Sequence, residues 1–258
     1  MAFEFKQMNK DLPKVEVLHG LVAFFDILGF SEMLSNNEPE QINALISDVF
    51  LNIPSKLNFD RMELENYGLN PGHLVFSDSI LVYQKKLLPG ISNETGALRF
   101  VSFCCQLTAD LMSCGLPVRG AISKGKFSVI EGKAGNFSFT GSCLVQAHKL
   151  AESLQIAGCA VVPTLEAEFS KNCEILQPSF QDDFLYWQTP LKNSAPQKLL
   201  MLNYWRHVTK PKEGISRMTL IESFSAHRKG FNLDVLIKVS ETEKFLAECK
   251  KQYVDKQV

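Results

Sequence analysis

The chain has 258 residues, 45% hydrophobic and 21% charged, the composition of a soluble globular protein with room for one sizeable core. A formal net charge of −1 offers no global field for nucleic acid or a membrane surface, and no apolar run approaches the roughly 18 residues that cross a bilayer. The seven cysteines form no CxxC pair and the N-terminus lacks a signal-peptide layout, so the sequence reads as a cytoplasmic protein with reduced thiols.

The first strong element is VAFFDILGF, residues 22–30. Its apolar run predicts a central strand buried on both faces, broken by one carboxylate, Asp26. An ionised carboxylate there loses hydration worth several kcal/mol and needs a partner. That partner is a divalent cation, backbone amides, or the start of a helix near Ser31. A helical pattern follows from Pro39 through Ile42, Leu45, Ile46, Val49 and Phe50 to Pro54, then a polar loop over 57–72. HLVFSDSILVY, residues 73–83, predicts a hairpin with Asp78 at its tip. Two carboxylates embedded in neighbouring strands, at the end of a sheet, are what Mg²⁺ or Mn²⁺ needs to hold a nucleoside triphosphate.

Residues 96–114 predict an apolar helix with Leu98, Val101, Cys105, Ala109 and Met112 inward, ended by Gly115. Residues 116–130 read as a strand, a bend near Lys124-Gly125 and a second strand, and 131–140 as a mobile loop. In the helix 141–155, Leu144, Ala147, Ala151 and Leu154 share one face, and Val145 and Lys149 another. After Gly158 come a short strand (CAVVP), a helix over 164–171 and a strand pair around FLYW and KLLMLNYW. Trp187, Tyr204 and Trp205 read as core. The last forty residues read as helices, with Phe231, Val235, Leu236 and Val239 on one apolar face, and the excess of Lys and Arg from Arg206 onward, eleven against seven Asp and Glu, reads as a solvated surface. This order predicts an α+β fold with a ferredoxin-like βαββαβ core, divided into 1–210 and a C-terminal helical extension, 211–258.

Four segments in order, FFDILGFS, FSDS, PVRGAISKG and GSCLVQAHKLAE, resemble the class III nucleotidyl cyclases over residues 22–155. The resemblance implies that Asp26, Asp78 and the backbone carbonyl of Ile27 bind two Mg²⁺ or Mn²⁺ ions, and that residues 1–210 form the catalytic domain. It implies that Phe30 and Ser31 hold phosphates, that Arg119 contacts the terminal ones, and that helix 141–155 faces the partner's metal site in a homodimer with composite active sites. The purine cyclases' two base readers fall on Leu74 and Ser138, and their Asn-x-x-x-Arg pair on Val145 and Lys149. Leu74 can neither donate nor accept a hydrogen bond, and Lys149 keeps a charge without the bidentate fork.

These departures, and the DILGFS and RGAIS wording, resemble the pyrimidine cyclases of bacterial Pycsar antiphage systems. That implies conversion of UTP, or CTP, to the 3′,5′-cyclic nucleotide, with the product sensed by a separate effector protein. Lys124 and Lys126 are further phosphate contacts to weigh against solvated charges, and His73, Tyr67 and Asn70 further base readers. A non-catalytic cyclase-like regulator, a purine cyclase and a nucleotidyl transferase of another fold are the competing readings.

Overall fold

The computed structural model describes residues 14–47, 71–84, 92–132, 137–175, 182–207 and 217–255. Their framework is a ladder between β1 (Lys14–Ile27) and β4 (Val118–Glu131), two 14-residue antiparallel strands paired from Lys14↔Glu131 to Ile27↔Val118. The other edge of β1 carries β3 (Ser79–Tyr83), which pairs with β2 (Gly72–Phe76). Two helices, α1 (Phe30–Asn36) and α2 (Pro39–Leu45), follow β1, and α3 (Asn93–Ser113) follows β3. The spatial order β2-β3-β1-β4 with this connectivity is the predicted ferredoxin-like βαββαβ core.

The sheet continues past β4 through β6 (Gly158–Val161), β8 (Gln197–Leu202) and β7 (Phe184–Thr189), with β5 (Phe137–Thr140) paired separately to β4. Among the described residues only the β4–β6 pair is parallel, and α4 (Ser142–Ser153) lies on the connection that makes it so. Helix α5 (Pro163–Ile175) joins β6 to β7, and α6 (Arg217–Ser225) and α7 (Leu233–Asp255) close the chain.

Alternation along β1 sorts the two layers. Leu21, Ala23, Phe25 and Ile27 belong to the main core with α3, including Leu98, Val101, Cys105, Ala109 and Met112. Val239, Phe245, Leu246 and Cys249 of α7 join that same core, as do Tyr204 and Trp205. On the opposite face Phe24 packs under α4 against Ala121, Ala147 and Ala151, and Val22 joins Leu81, Phe127, Val129 and Cys143. None of the described helices is long and apolar enough to cross a membrane.

Three expectations change. The bend at Lys124-Gly125 is absent: β4 runs straight because β1 pairs it throughout. Gly125 instead gives α4 room, since a Cβ there would stand 3.1 Å from that of Cys143. The predicted loop 131–140 contains β5, whose four residues pair with Ser128–Glu131. Phe231 lies before α7 and is exposed, and on α7 Leu236 is exposed while Val235 is partly buried and Val239 fully. Val49, Phe50, Pro54, Tyr67 and Asn70 lie outside the described residues.

Candidate active site

The carboxylate of Asp26 is set by how β1 ends. Ile27 N–H donates to the carbonyl of Asp78 at 2.9 Å and Leu28 N–H to that of Pro117 at 2.9 Å, so both neighbouring strands pin the strand's last turn. Gly29 then takes φ 78°, a left-handed conformation, and reverses the chain into α1. Asp78 sits beside Ser77 (φ 54°) in the two-residue turn of the β2–β3 hairpin, as the sequence predicts. Because Asp26 pairs with Ser79 on one side and Arg119 on the other, the three strand ends bring Asp26, Asp78 and Arg119 to one place.

They line a cleft of about 510 Å³. Arg119 Nε donates to Oδ2 of Asp26 at 2.7 Å, and its Nη1 to the carbonyl of Glu152 at 2.9 Å, near the end of α4. Burial pushes the Asp26 carboxyl above the usual range; Arg119 opposes this, and the nearby charges of Asp78 and Glu152 add to it. Ser79 Oγ donates to Oδ1 of Asp78 at 3.4 Å. Ile27, Phe30 and Ser31 also line the cleft. The Phe30 side chain is buried in the main core, which leaves its backbone as the part that serves the cleft.

Leu74, Ser138 and Lys149 are absent from that lining. Leu74 lies on the sheet face of Asp26, farther along, against the Val22–Phe127 cluster. Ser138 pairs with Ile130, which puts it on the opposite face, and Phe139 is the β5 residue that packs with Leu74's cluster. The structure therefore does not bring the two base-reader positions together. Lys149 and Val145 are exposed, turned away from the Ala147–Ala151 contact. Lys126 is exposed and Lys124 pairs with Glu168. His73 is exposed.

The sequence reading missed His148, Glu152, Lys192 and, from the C-terminal segment, Asn232, Asp234 and Lys238, all of which line the cleft. His148 rests edge-on against Phe24 with ring centroids 4.8 Å apart, and Nδ1 lies 3.5 Å from the Glu152 carboxylate one helical turn on. The four-residue spacing of 148 and 152 was a usable signal; nothing local marks Lys192 or Lys238.

No protein-family model and no curated protein matches the chain. Solved structures do. The guanylate cyclase domain of RhGC from Catenaria anguillulae, solved with GTP, shares 11% identity at a TM-score of 0.47, over 72% of this chain and 97% of that one. A bacterial light-regulated adenylyl cyclase shares 12% at 0.46, over 92% and 58%. A class III adenylyl cyclase-like ATP-binding protein from Pseudomonas aeruginosa shares 14% at 0.44, over 92% and 44%.

The donor set itself fits a hard divalent cation. Two aspartates on adjoining strand ends open into one cleft, beside Glu152 and Asp234, with Arg119, Lys192 and Lys238 around them. All-oxygen ligands with cations at the rim suit Mg²⁺ or Mn²⁺ carrying a polyphosphate. A second group, Cys105, Asp183 and His207, lies elsewhere and lines no part of this cleft.

Proposed function

We propose that the protein is a nucleotide cyclase, which turns a nucleoside triphosphate into its 3′,5′-cyclic monophosphate and pyrophosphate. The observation that carries the reading is the convergence of Asp26, Asp78 and Arg119 in one cleft at the end of the central strand. In the reaction the ribose 3′-oxygen forms a bond to the α-phosphorus as the bond to the β-phosphate oxygen breaks. Asp26 and Asp78, with the carbonyl of Ile27, would hold two Mg²⁺ or Mn²⁺ ions. When bound, such ions acidify the 3′-hydroxyl and neutralise the triphosphate. Arg119, already in the cleft, opposes the charge growing on the pyrophosphate. The turn at Phe30 and Ser31 faces the phosphates with its backbone.

For the base, the positions on β2 that share the face of Asp26 are Gly72, Leu74 and Phe76, none with a polar side chain. None of them lines the cleft and no side chain among them can pair with a base edge, so this face of the strand supplies no purine reader. On the family resemblance we assign UTP or CTP as substrate, UTP first, in a homodimer where Lys149 serves the partner's site. The product would be a second messenger read by a separate effector in antiphage defence.

Equal concentrations of the four nucleoside triphosphates, offered together with Mn²⁺ and resolved by mass, test both levels. Cyclic UMP or CMP should exceed cyclic AMP and GMP by at least about tenfold, the equivalent of about 1.4 kcal/mol. Dominant purine products would remove the pyrimidine assignment and leave the cyclase. Nucleotide binding without any product favours the regulator reading, which draws on Val145 and Lys149 in place of the Asn-x-x-x-Arg pair and on the ion pair of Arg119 with Asp26.

A further inference from the structure

The main core holds a second set of ligand-type side chains, remote from the cleft lining. Cys105 projects from the middle of α3, Asp183 precedes β7, and His207 lies in the short 3₁₀ turn (Trp205–His207) after β8. One ligand atom from each lies within 4.8 Å of the other two. Cys105 and Asp183 are wholly buried.

The tautomer of His207 follows from its neighbour. Gln106 Nε2 donates to Oδ1 of Asp110 at 2.8 Å and to the carbonyl of His207 at 3.4 Å, which fixes the amide so that its Oε1 faces the ring. His207 Nδ1 lies 3.2 Å from that oxygen, so Nδ1 carries the proton. Its Nε2 then presents a lone pair to Oδ1 of Asp183 at 3.4 Å. Nε2 and Oδ1 so placed, with the Cys105 sulfur beside them, put three ligand atoms within reach of one cation. An imidazole held through its other nitrogen by an amide oxygen is how proteins orient a metal-binding histidine. The Asp183 backbone is also fixed, its carbonyl accepting from Asn203 N–H at 2.8 Å.

We propose that Cys105, Asp183 and His207 bind one Zn²⁺, which clips α3 to the ends of β7 and β8. A nitrogen and an oxygen at about 2.05 Å from a tetrahedral zinc stand about 3.3 Å apart, which matches the Nε2–Oδ1 side, and a thiolate at about 2.3 Å would stand about 3.6 Å from each. A thiolate and an imidazole select zinc over Mg²⁺, so this ion is distinct in kind and place from those of the cleft.

The test uses the full reduced chain, washed with chelator and titrated with Co²⁺ and then Zn²⁺. One equivalent of cobalt should produce a thiolate-to-cobalt charge-transfer band, zinc should abolish it, and zinc should raise the melting temperature reversibly by chelation. Cys105→Ser and Asp183→Asn should each lose the zinc-dependent shift, whereas Cys114→Ser, at an exposed thiol, should keep band and shift. The wild-type titration stands even if Cys105→Ser fails to fold. A wild-type chain with no thiolate band, or no zinc-dependent shift, overturns the site. So does a band that survives Cys105→Ser or vanishes with Cys114→Ser.

Discussion

Asp26 stands one residue from the end of β1, where burial raises its carboxyl pKa and Arg119 pulls against that rise. A carboxyl raised above its unfolded value holds its proton longer in the folded state, so its favourable contribution is present at low pH. That contribution is lost as pH rises through the folded pKa. Asp26→Asn should therefore abolish cyclisation while leaving the melting temperature at pH 7 equal to wild type or above it. Any advantage of the variant should shrink as pH falls through the Asp26 titration. Asp78→Asn should also abolish product; a tenth of normal activity in either variant would exclude the paired-aspartate site. Both aspartates were legible because each is a lone carboxylate inside an apolar strand pattern. His148 and Glu152 line the cleft from α4 beside the sheet-facing Ala147 and Ala151, and only their four-residue spacing marks them in the sequence. For Ser138 the face follows from the register of β5, which a reading of 131–140 as a loop does not supply.

Among the elements, the ladder between β1 and β4 depends on glycine at one contact. A Cβ on Gly120 would come within 2.4 Å of Phe25 Cδ1 and 2.9 Å of the Phe24 carbonyl oxygen. Phe25 is fully buried, so its ring has no open space to take. Gly120→Ala should cost about 1–3 kcal/mol by overpacking, read as a lower urea midpoint at unchanged m-value. The C-terminal segment is bolted on differently. Lys229 Nζ donates to the carbonyls of Gly115 at 2.7 Å and Ser223 at 3.0 Å, and its aliphatic chain covers Gly29. Asn36 and Asn37 Nδ2 donate to the carbonyls of Arg228 and His227. Burial pulls the Lys229 pKa from 10.5 down to about 7. Across that window the unfolded chain binds a proton the folded chain does not, so stability rises with pH. Comparing Lys229→Met with wild type at pH 7 and pH 10 should show wild type gaining on the variant toward pH 10; equal differences at the two pH values would place the amine outside the titrating set. No periodicity in 227–238 announces this bolt, because its partners lie at residues 29–37 and 114–115 and only the folded chain brings them near.

At the scale of the molecule, the cleft takes cations from segments far apart in sequence, yet Lys149 stays outside it on an exposed helix face. In the proposed homodimer that face serves the other subunit. Asp26→Asn and Lys149→Ala proteins, each inactive alone, should recover activity when mixed, since some mixed dimers regain one intact site. No recovery after proven subunit exchange would remove Lys149 from the reaction. The strand order that builds the cleft also governs how the chain is made. As the polypeptide leaves the ribosome, β3 can cover one edge of β1 soon after synthesis, but the other edge must wait until Val118–Glu131 emerge. Closing so long a loop is entropically slow, and contacts this remote in sequence lengthen folding times. Throughout the wait Val22–Phe25, wholly apolar, present an open strand edge to every other nascent chain. Slower elongation, lower temperature or a chaperone that shields that edge should therefore set the yield of native protein.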